Sequence, residues 1–421
     1  ATAGSYHGAR YGAGDLVKVF GTQARNEFFE LYRIVARRTG KVLDPEAELE
    51  EGALSPRQAY LQEVARTGAV PFPVLLRKLQ RPKDLDLSGK GLGDRVIGAL
   101  AKILPRVPEV QRLSVADNRL TDASLVPLCE AVLEMPHLTA LDLSNNKVDE
   151  SADIIREYLT QPDCRLRRLT LSSADVDDGE CGQLCESLKR NVSLTELDLS
   201  RNLIGEKENM NVVQPDFETG AEALAEMLEH NTHITHLDLS WNAVRLESAV
   251  ALAQVLRENN TLRTLILKHN AFGDKASQEL GDALAYNGGL AALDLSFNGV
   301  TPRAAMVLAN AFKTNAALRR LNLDGNTLGK SGSASLMMAV VRAKDSRLLE
   351  VSMNNCDLDH QEPGLFNPLQ PTGKYRLEMA EPYARMVAAE LLRLANERLG
   401  CDFRALHHVW RGQRTQVPVR R

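Results

Sequence analysis

Short Leu-x-Leu segments return along this chain at a nearly constant interval. They begin at Leu85, Leu113, Leu141, Leu169, Leu197, Leu237, Leu265, Leu293 and Leu321. The steps between them are 28, 28, 28, 28, 40, 28, 28 and 28 residues, and a tenth, degenerate copy begins at Val351. A fixed period of this length is typical of architectures that stack one structural unit many times. The pattern therefore predicts a solenoid that runs as one continuous domain.

Each copy also repeats the same chemistry. Seven copies carry an Asn after the strand: Asn118, Asn146, Asn202, Asn242, Asn270, Asn298 and Asn326. An Asn side chain can satisfy backbone groups where the chain turns sharply. Cys356 holds this position in the last copy, and Lys90 and Ala174 hold it in the first and fourth, where we expect less regular turns. Apolar residues at helical spacing then predict a helix in the second half of each copy.

A strand, a turn, a helix and a return turn make one coil, and stacked coils bury the leucines that one coil leaves exposed. Over roughly residues 83–356 the pattern resembles the ribonuclease-inhibitor-like leucine-rich repeats. The resemblance implies an α/β solenoid, a leucine-rich-repeat horseshoe of about ten 28-residue strand–helix coils with parallel strands on the concave face. NOD-like receptor sensor ends, Ran GTPase-activating protein, tropomodulin-like caps and several axonemal proteins share this repeat.

The two ends are expected to close the core. We assign residues 1–82 to a helical N-terminal cap, with helices over 15–39, after Ser55-Pro56 and from Val74 to Leu79. Residues 83–356 form the repeats, and residues 357–421 form a C-terminal cap with a basic tail and a candidate eleventh coil at Leu377. The 40-residue step places about 12 extra residues near 206–217. This insertion is either part of a binding face or a tolerated surface loop.

Composition excludes several functional classes. The net charge of −4 predicts no general attraction to nucleic acid or to membranes. The six cysteines include no CxxC pair, and the first residues have no apolar segment of the kind found in secretory signals. We therefore expect an intracellular protein of the cytoplasm, with a cilium or flagellum as the alternative location.

The search for reactive groups predicts no enzyme, no cofactor and no metal site. The segment 325–331 looks like a phosphate-binding loop but has three residues between its glycines where the motif needs four. His230, His233 and His236 fall in a helix end, a turn and a strand start, so they should not share an ion. Cys181 and Cys185 are spaced as small core residues of a helix. Asn191 and Asn259 match the glycosylation pattern, but both lie where the repeat expects Asn.

The residues between the paired leucines face away from the core because side chains alternate along a strand. Five of these ten are Asp and none is basic: Asp86, Ser114, Asp142, Thr170, Asp198, Asp238, Ile266, Asp294, Asn322 and Ser352. Asp198, Asp238 and Asp294 are candidate partner-binding residues, since such a column would attract a basic surface. The alternative is an unspecific, solvated stripe, because LDLS is the ordinary consensus of these repeats.

A second candidate position lies directly before the repeat Asn. It holds Arg201, Trp241, His269 and Phe297 in four successive coils. The other coils carry small or polar residues there: Gly89, Asp117, Asn145, Ser173, Gly325 and Asn355. Aromatic and arginine side chains are typical interface anchors. We therefore predict a partner-binding patch at this edge, with burial against the helices as the alternative.

Together these features predict a non-catalytic protein-binding scaffold that uses the concave face and the strand-to-helix edge. Its partner is expected to be a protein with a basic or aromatic-accepting surface, with no nucleic acid and no membrane involved. One alternative is a structural subunit of a large assembly such as a ciliary axoneme. The other is GTPase activation, by resemblance to Ran GTPase-activating protein, although that family ends in an acidic tail and this chain ends in RTQVPVRR.

Overall fold

The computed structural model describes residues 55–67, 71–79, 82–208, 218–342 and 347–356. The chain divides into two compact units, Ala1–Ile155 and Arg156–Arg421. The expected helix over 15–39, most of the 206–217 insertion and the C-terminal cap with Leu377 lie outside the described residues. Within the described part, no helix is both long and apolar enough to cross a membrane.

The first unit begins with two helices and continues with strand–helix coils. Its elements are α1 (Pro56–Thr67), α2 (Pro73–Lys78), β1 (Asp84–Asp86), α3 (Gly93–Ala101), a 3₁₀ turn (Leu104–Arg106), β2 (Arg112–Ser114), α4 (Asp122–Leu133) and β3 (Ala140–Asp142). Helix α5 (Glu150–Thr160) contains the boundary between the units. The Ser55-Pro56 signal is confirmed as the start of α1, where the Ser55 amide donates to Gln58 Oε1 at 3.0 Å. Helix α1 packs against α3.

The second unit consists of seven strands and the helices between them. Its elements are β4 (Arg168–Thr170), α6 (Asp178–Leu188), β5 (Glu196–Asp198), α7 (Gly220–His230), β6 (His236–Asp238), α8 (Leu246–Val255), β7 (Thr264–Ile266), α9 (Gly273–Leu284), β8 (Ala292–Asp294), α10 (Pro302–Ala311), β9 (Arg320–Asn322), α11 (Gly329–Arg342) and β10 (Glu350–Ser352). Consecutive helices from α6 to α11 pack against one another.

Within each unit the strands pair in parallel and in sequence order, β1 to β3 and β4 to β10. The register matches the repeat, so that Leu197 lies opposite Leu237 and Asp198 opposite Asp238. The central leucine of strands β1 to β9 is buried, β10 has the half-buried Val351 in its place, and both flanking residues lie on the face that the helices leave uncovered. The predicted α/β solenoid of strand–helix coils is confirmed.

The repeat asparagines join neighbouring coils, and all but the half-buried Asn242 are buried. Asn298, which is 2% exposed, donates from Nδ2 to Leu267 O of the preceding coil at 2.8 Å and to Ser296 O of its own coil at 3.0 Å. Its Oδ1 accepts from the Phe272 amide of the preceding coil at 3.3 Å. One side chain therefore satisfies backbone groups of two coils. If these groups were buried without a partner, the free energy of folding would carry a large penalty.

This arrangement corrects the expectation for the first and fourth turns. The Lys90 and Ala174 amides bond to Asn118 Oδ1 and Asn202 Oδ1 at 3.2 and 3.0 Å, as an Asn amide does at the same position. These turns keep the regular hydrogen bonds because the accepting side chain belongs to the following coil. In the last described coil Cys356 takes the donor role, with Sγ 3.1 Å from Leu323 O.

A second set of buried asparagines closes the return turn in the second unit: Asn191, Asn231, Asn259, Asn287 and Asn315. In each, Nδ2 donates to a backbone carbonyl near the C-terminus of the preceding helix, as Asn287 does to Leu256 O. Oδ1 accepts from the amides two and three residues later. The sequence pattern predicts Asn at positions 191 and 259, and these hydrogen bonds give the physical reason for it.

We predict that Asn298→Ala lowers the free energy of unfolding by about 2–4 kcal/mol, because it leaves one amide and two carbonyls without their buried partner. Urea denaturation followed by circular dichroism measures the change. The matched control is Asn310→Ala on the exposed surface of α10, which should stay within about 0.5 kcal/mol of the parent. Equal effects of the two substitutions would contradict the structural role of the buried amide.

Candidate partner-binding surface

The four bulky residues before the repeat Asn form one continuous stack, which we call the edge stack. The Trp241 and His269 ring centroids lie 3.8 Å apart with planes inclined by 24°. His269 and Phe297 are 4.2 Å apart and inclined by 8°. At the other end, Arg201 Cζ lies 5.1 Å from the Trp241 ring centroid, within the range of a cation–π interaction. Four coils thus contribute one layer each.

The backbone brings these side chains together. Beyond the end of each strand, the Arg201 amide donates to Ser240 O, the Trp241 amide to Lys268 O and the His269 amide to Ser296 O, at 2.7 to 3.0 Å. The parallel ladder is therefore extended to the position before the Asn. Neighbouring parallel strands lie about 4.8 Å apart, which is close to the distance at which rings stack.

The edge stack is held in a conformation that bulky residues rarely adopt. Arg201, Trp241, His269 and Phe297 all have positive φ, between 53° and 58°. The same position is left-handed in the other described coils, where it carries Gly, Asp, Asn or Ser. Those residue types enter this region more readily, whereas a bulky residue there costs on the order of 1–3 kcal/mol. The recurrence of Gly, Asp and Asn at this position was the signal for it in the sequence.

The edge stack is exposed at its ring edges and closed at its faces. Trp241 is 46% exposed and Phe297 is 40% exposed, so neither is buried against the helices. Arg201 covers one face of Trp241, and His269 lies between two rings. Beyond Phe297 lies Gly325, where an added Cβ would come within 2.3 Å of Phe297 Cε1. Gly325 is therefore a member of this surface that sequence reasoning missed.

The imidazole of His269 is partly buried between its two neighbours. Burial lowers its pKa below the usual value of 6.5, and the nearby cations Lys268 and Arg201 act in the same direction. Asp294 opposes them. The neutral form is favoured because charging a ring inside the stack would cost hydration.

The carboxylates of the neighbouring aspartate column accept hydrogen bonds from the backbone of their own coil. Oδ1 of Asp198, Asp238 and Asp294 accepts the amide two residues later, from Ser200, Ser240 and Ser296, at 2.8 to 2.9 Å. Asp294 also accepts from Ser296 Oγ and from Asn322 Nδ2. These carboxylates therefore have a structural role where the strand ends.

Their negative charge nevertheless accumulates along the column. Burial raises the pKa of Asp238, and the neighbouring carboxylates of Asp198 and Asp294 raise it further, while the bonds from Ser240 lower it. Asp198 lies opposite Asp238 in the sheet, and Ile266 separates Asp238 from Asp294. The column thus remains a local source of negative potential beside the edge stack.

The described base of the insertion is fixed to the same edge. Asp178 is 2% exposed, and its Oδ1 accepts the amides of Gly205 and Gly220 at 2.7 and 2.8 Å, on either side of the insertion. Glu208 accepts from the Ser248 amide and hydroxyl at the start of α8, at 3.2 and 2.7 Å. The insertion therefore starts and ends at defined points next to the coil that carries Arg201.

The remaining sequence motifs are explained by their positions in the repeat. His230, His233 and His236 each have a local partner, respectively Glu226 O, Thr232 Oγ1 and Thr235 Oγ1. Among the described residues, no group of three or more His, Cys, Asp or Glu could hold a metal. Gly325 and Gly329 lie in a coil turn and at the start of α11.

The two glycosylation matches and the cysteine pair also have structural positions. Asn191 and Asn259 are buried, and each side-chain nitrogen donates to a carbonyl at 2.7 Å, so a glycan would require these turns to open. Cys181 and Cys185 are buried in α6, in agreement with their prediction as core residues.

Comparison with known proteins agrees with this architecture. A family model described as "Leucine Rich repeat" matches residues 134–150, 190–207, 230–253 and 258–280. Ribonuclease inhibitor of Sus scrofa is 32% identical over 168 residues, 38% of this chain and 37% of that protein. The strand–helix coils of this chain are leucine-rich repeats of the ribonuclease-inhibitor-like class.

This leucine-rich-repeat protein also matches a larger relative. NACHT, LRR and PYD domains-containing protein 7 of Homo sapiens is 36% identical over 135 residues, 32% of this chain and 14% of that protein. The match thus spans well under half of either curated relative. Among solved structures, the TLR13–ssRNA13 complex covers 62% of this chain and 31% of that chain, at 16% identity and a TM-score of 0.37.

Because the backbone is left-handed at the edge stack, we predict that glycine is more stable than alanine there, the reverse of their order within a helix. Trp241→Gly should be more stable than Trp241→Ala by about 1 kcal/mol, because glycine has no Cβ to clash at positive φ. Urea denaturation of both variants measures the difference. The control is Ala251→Gly within α8, where glycine should be the less stable residue by about 1 kcal/mol. Finding alanine more stable at both positions would contradict the strained backbone.

The lowered pKa of His269 predicts a loss of stability in acid. Below about pH 6.5 the unfolded chain binds a proton more readily than the folded protein, so the free energy of unfolding falls as the pH drops toward the folded pKa. Above that pH the contribution is complete. We expect the parent to lose stability relative to His269→Phe as the pH falls from about 7.5 to 5. A difference that does not change with pH would exclude this effect.

Proposed function

We propose that this chain is a non-catalytic protein-binding scaffold. Its binding surface comprises the uncovered face of the sheet and the strand-to-helix edge in the second unit. The residues that carry it are Arg201, Trp241, His269 and Phe297 of the edge stack, together with Asp198, Asp238 and Asp294 of the acidic column. Its partner is another protein, and its binding uses no cofactor and no metal.

One observation carries the proposal: the edge stack is exposed although folding does not require it. The other described coils close the same turn with small or polar residues, so the bulky residues are not needed for the solenoid. Each of them occupies an unfavourable backbone region. Strain that is kept in four successive coils is typical of a site whose shape is used for recognition.

The edge stack is also prepared for binding. Its rings are held by one another, so little side-chain entropy remains to be lost when a partner arrives. Large aromatic residues and arginine dominate the energetics of most protein interfaces. The acidic column beside the stack would attract basic groups of the same partner and help to orient it.

The relatives support a protein partner. Ribonuclease inhibitor is named for its action on another protein, and it shares its repeats with this chain. The five described cysteines are buried and free, as is usual in reducing compartments, so we place the protein inside the cell.

The test is affinity capture from the native cell with the parent and with Trp241→Ala/Phe297→Ala. We expect the double variant to fold like the parent. At least one specific partner, identified by mass spectrometry, should be captured by the parent and lost with the double substitution. Truncating buried aromatic anchors of an interface typically weakens binding by about 2 kcal/mol or more each.

The matched control is Tyr286→Ala/Met306→Ala, which removes two exposed large side chains away from the edge stack. This variant should keep every partner of the parent. Capture that is unchanged by the Trp241/Phe297 substitutions and reduced by the control would move the binding surface to the helical side and refute the proposed site.

A further inference from the structure

The edge stack and the adjacent Lys268 carry hydrogen-bond donors that meet no acceptor within the part of the chain that the structure describes. Among the described residues, the Arg201 guanidinium and the Lys268 ammonium make no ion pair, and the Trp241 indole and the His269 ring make no hydrogen bond. Arg201 lies over Trp241, and Lys268 Nζ lies 5.8 Å from the Phe297 ring centroid. Two cations and two ring systems with N–H donors thus share one exposed edge.

The nearby carboxylates do not neutralise these donors. Asp198, Asp238 and Asp294 already accept bonds from their own turns, and no ion pair joins them to Arg201 or Lys268 within the described residues. The Arg201 guanidinium and the Lys268 ammonium therefore keep donors that a partner can use. A partner that desolvated these cations without supplying acceptors would lose affinity, since unpaired buried charges are costly.

We propose that the edge stack binds an acidic peptide segment of the partner protein. This inference rests on the proposed function and names the chemistry of the element that crosses the edge. Carboxylates of the segment accept from Arg201 and Lys268, and an apolar residue between them lies against the edges of the rings. Basic groups of the partner, where present, lie on the side of the acidic column.

The register gives the spacing of the carboxylates. Arg201 and Lys268 belong to coils two steps apart, and two strand spacings amount to about 10 Å. A peptide in the polyproline II conformation has three residues per turn and rises about 3.1 Å per residue, so side chains three residues apart lie on one face, about 9 Å from each other. The expected pattern is Asp or Glu, two residues of which at least one is apolar, and again Asp or Glu.

The closed faces of the stack favour a peptide over a nucleic acid. Proteins hold single-stranded nucleic acid by stacking bases on exposed aromatic faces. Here Arg201, the neighbouring rings and Gly325 cover the faces of Trp241, His269 and Phe297. A base could meet only ring edges, whereas a carboxylate needs only the donors that are present.

The experiment is a selection from a phage-displayed library of random peptides of about 12 residues against the full chain. We expect enrichment of acidic residues three apart around an apolar residue, and weaker binding of the best synthetic peptide to Trp241→Ala/Phe297→Ala. Arg201→Ala/Lys268→Ala should weaken the same peptide at least about tenfold. The control Arg319→Ala/Arg320→Ala removes the same charge at exposed residues elsewhere and should stay within about twofold of the parent.

The other outcomes separate the two proposals. Enrichment of Lys and Arg in peptides that still require Trp241 and Phe297 would overturn the acidic segment and leave the proposed function in place. Selected peptides that bind Trp241→Ala/Phe297→Ala as tightly as the parent would overturn both the acidic segment and the proposed function. A labelled oligothymidine of similar length that competes with the peptide and loses affinity in Arg201→Ala/Lys268→Ala would overturn the acidic peptide in favour of a nucleic acid.

Discussion

The buried asparagine between two coils is the interaction on which the rest of this structure depends. Its side chain donates to carbonyls of two coils and accepts amides of the preceding one, as Asn118 does toward Leu87, Val115, Lys90 and Leu92. Strands of three residues make few ladder bonds, so the sharp turn that follows needs this second source of partners. Without it, several backbone groups per coil would be buried and unpaired, at about 1–3 kcal/mol each.

Because each turn is completed by the following coil, the repeat tolerates local exceptions. Lys90 and Ala174 replace the Asn in their own coils, but their amides still find Asn118 and Asn202. The same dependence between neighbours makes stability in such arrays a sum of coil and interface contributions.

The ladder has a consequence for function. Any residue repeated at one position becomes a column at the strand spacing, which is also the spacing of stacked rings. A backbone that is left-handed at this position and joined by amide bonds to the next coil turns four separate residues into the edge stack. The same geometry gathers the aspartates into a column, where the carboxylates close their own turns, and Asp198 and Asp294 add to the burial that raises the pKa of Asp238. Recognition and folding therefore use the same register.

The sequence by itself determined the coil, its period, the direction of the leucines and the residues that would gather at one edge. These follow from periodicity, since a 28-residue repeat of strand and helix has one way to bury its leucines. The tertiary structure alone decided three things: the left-handed backbone before each Asn, the closed faces and open donors of the edge stack, and the structural duty of the aspartates. The first two depend on atoms of neighbouring coils about 28 or 40 residues away, such as Gly325 beneath Phe297 and Ser240 opposite Arg201. The third depends on how the chain turns where each strand ends, which brings the amide two residues later to the carboxylate. A pattern within one coil shows which residues are available, but contacts between coils decide which of their atoms remain free to bind.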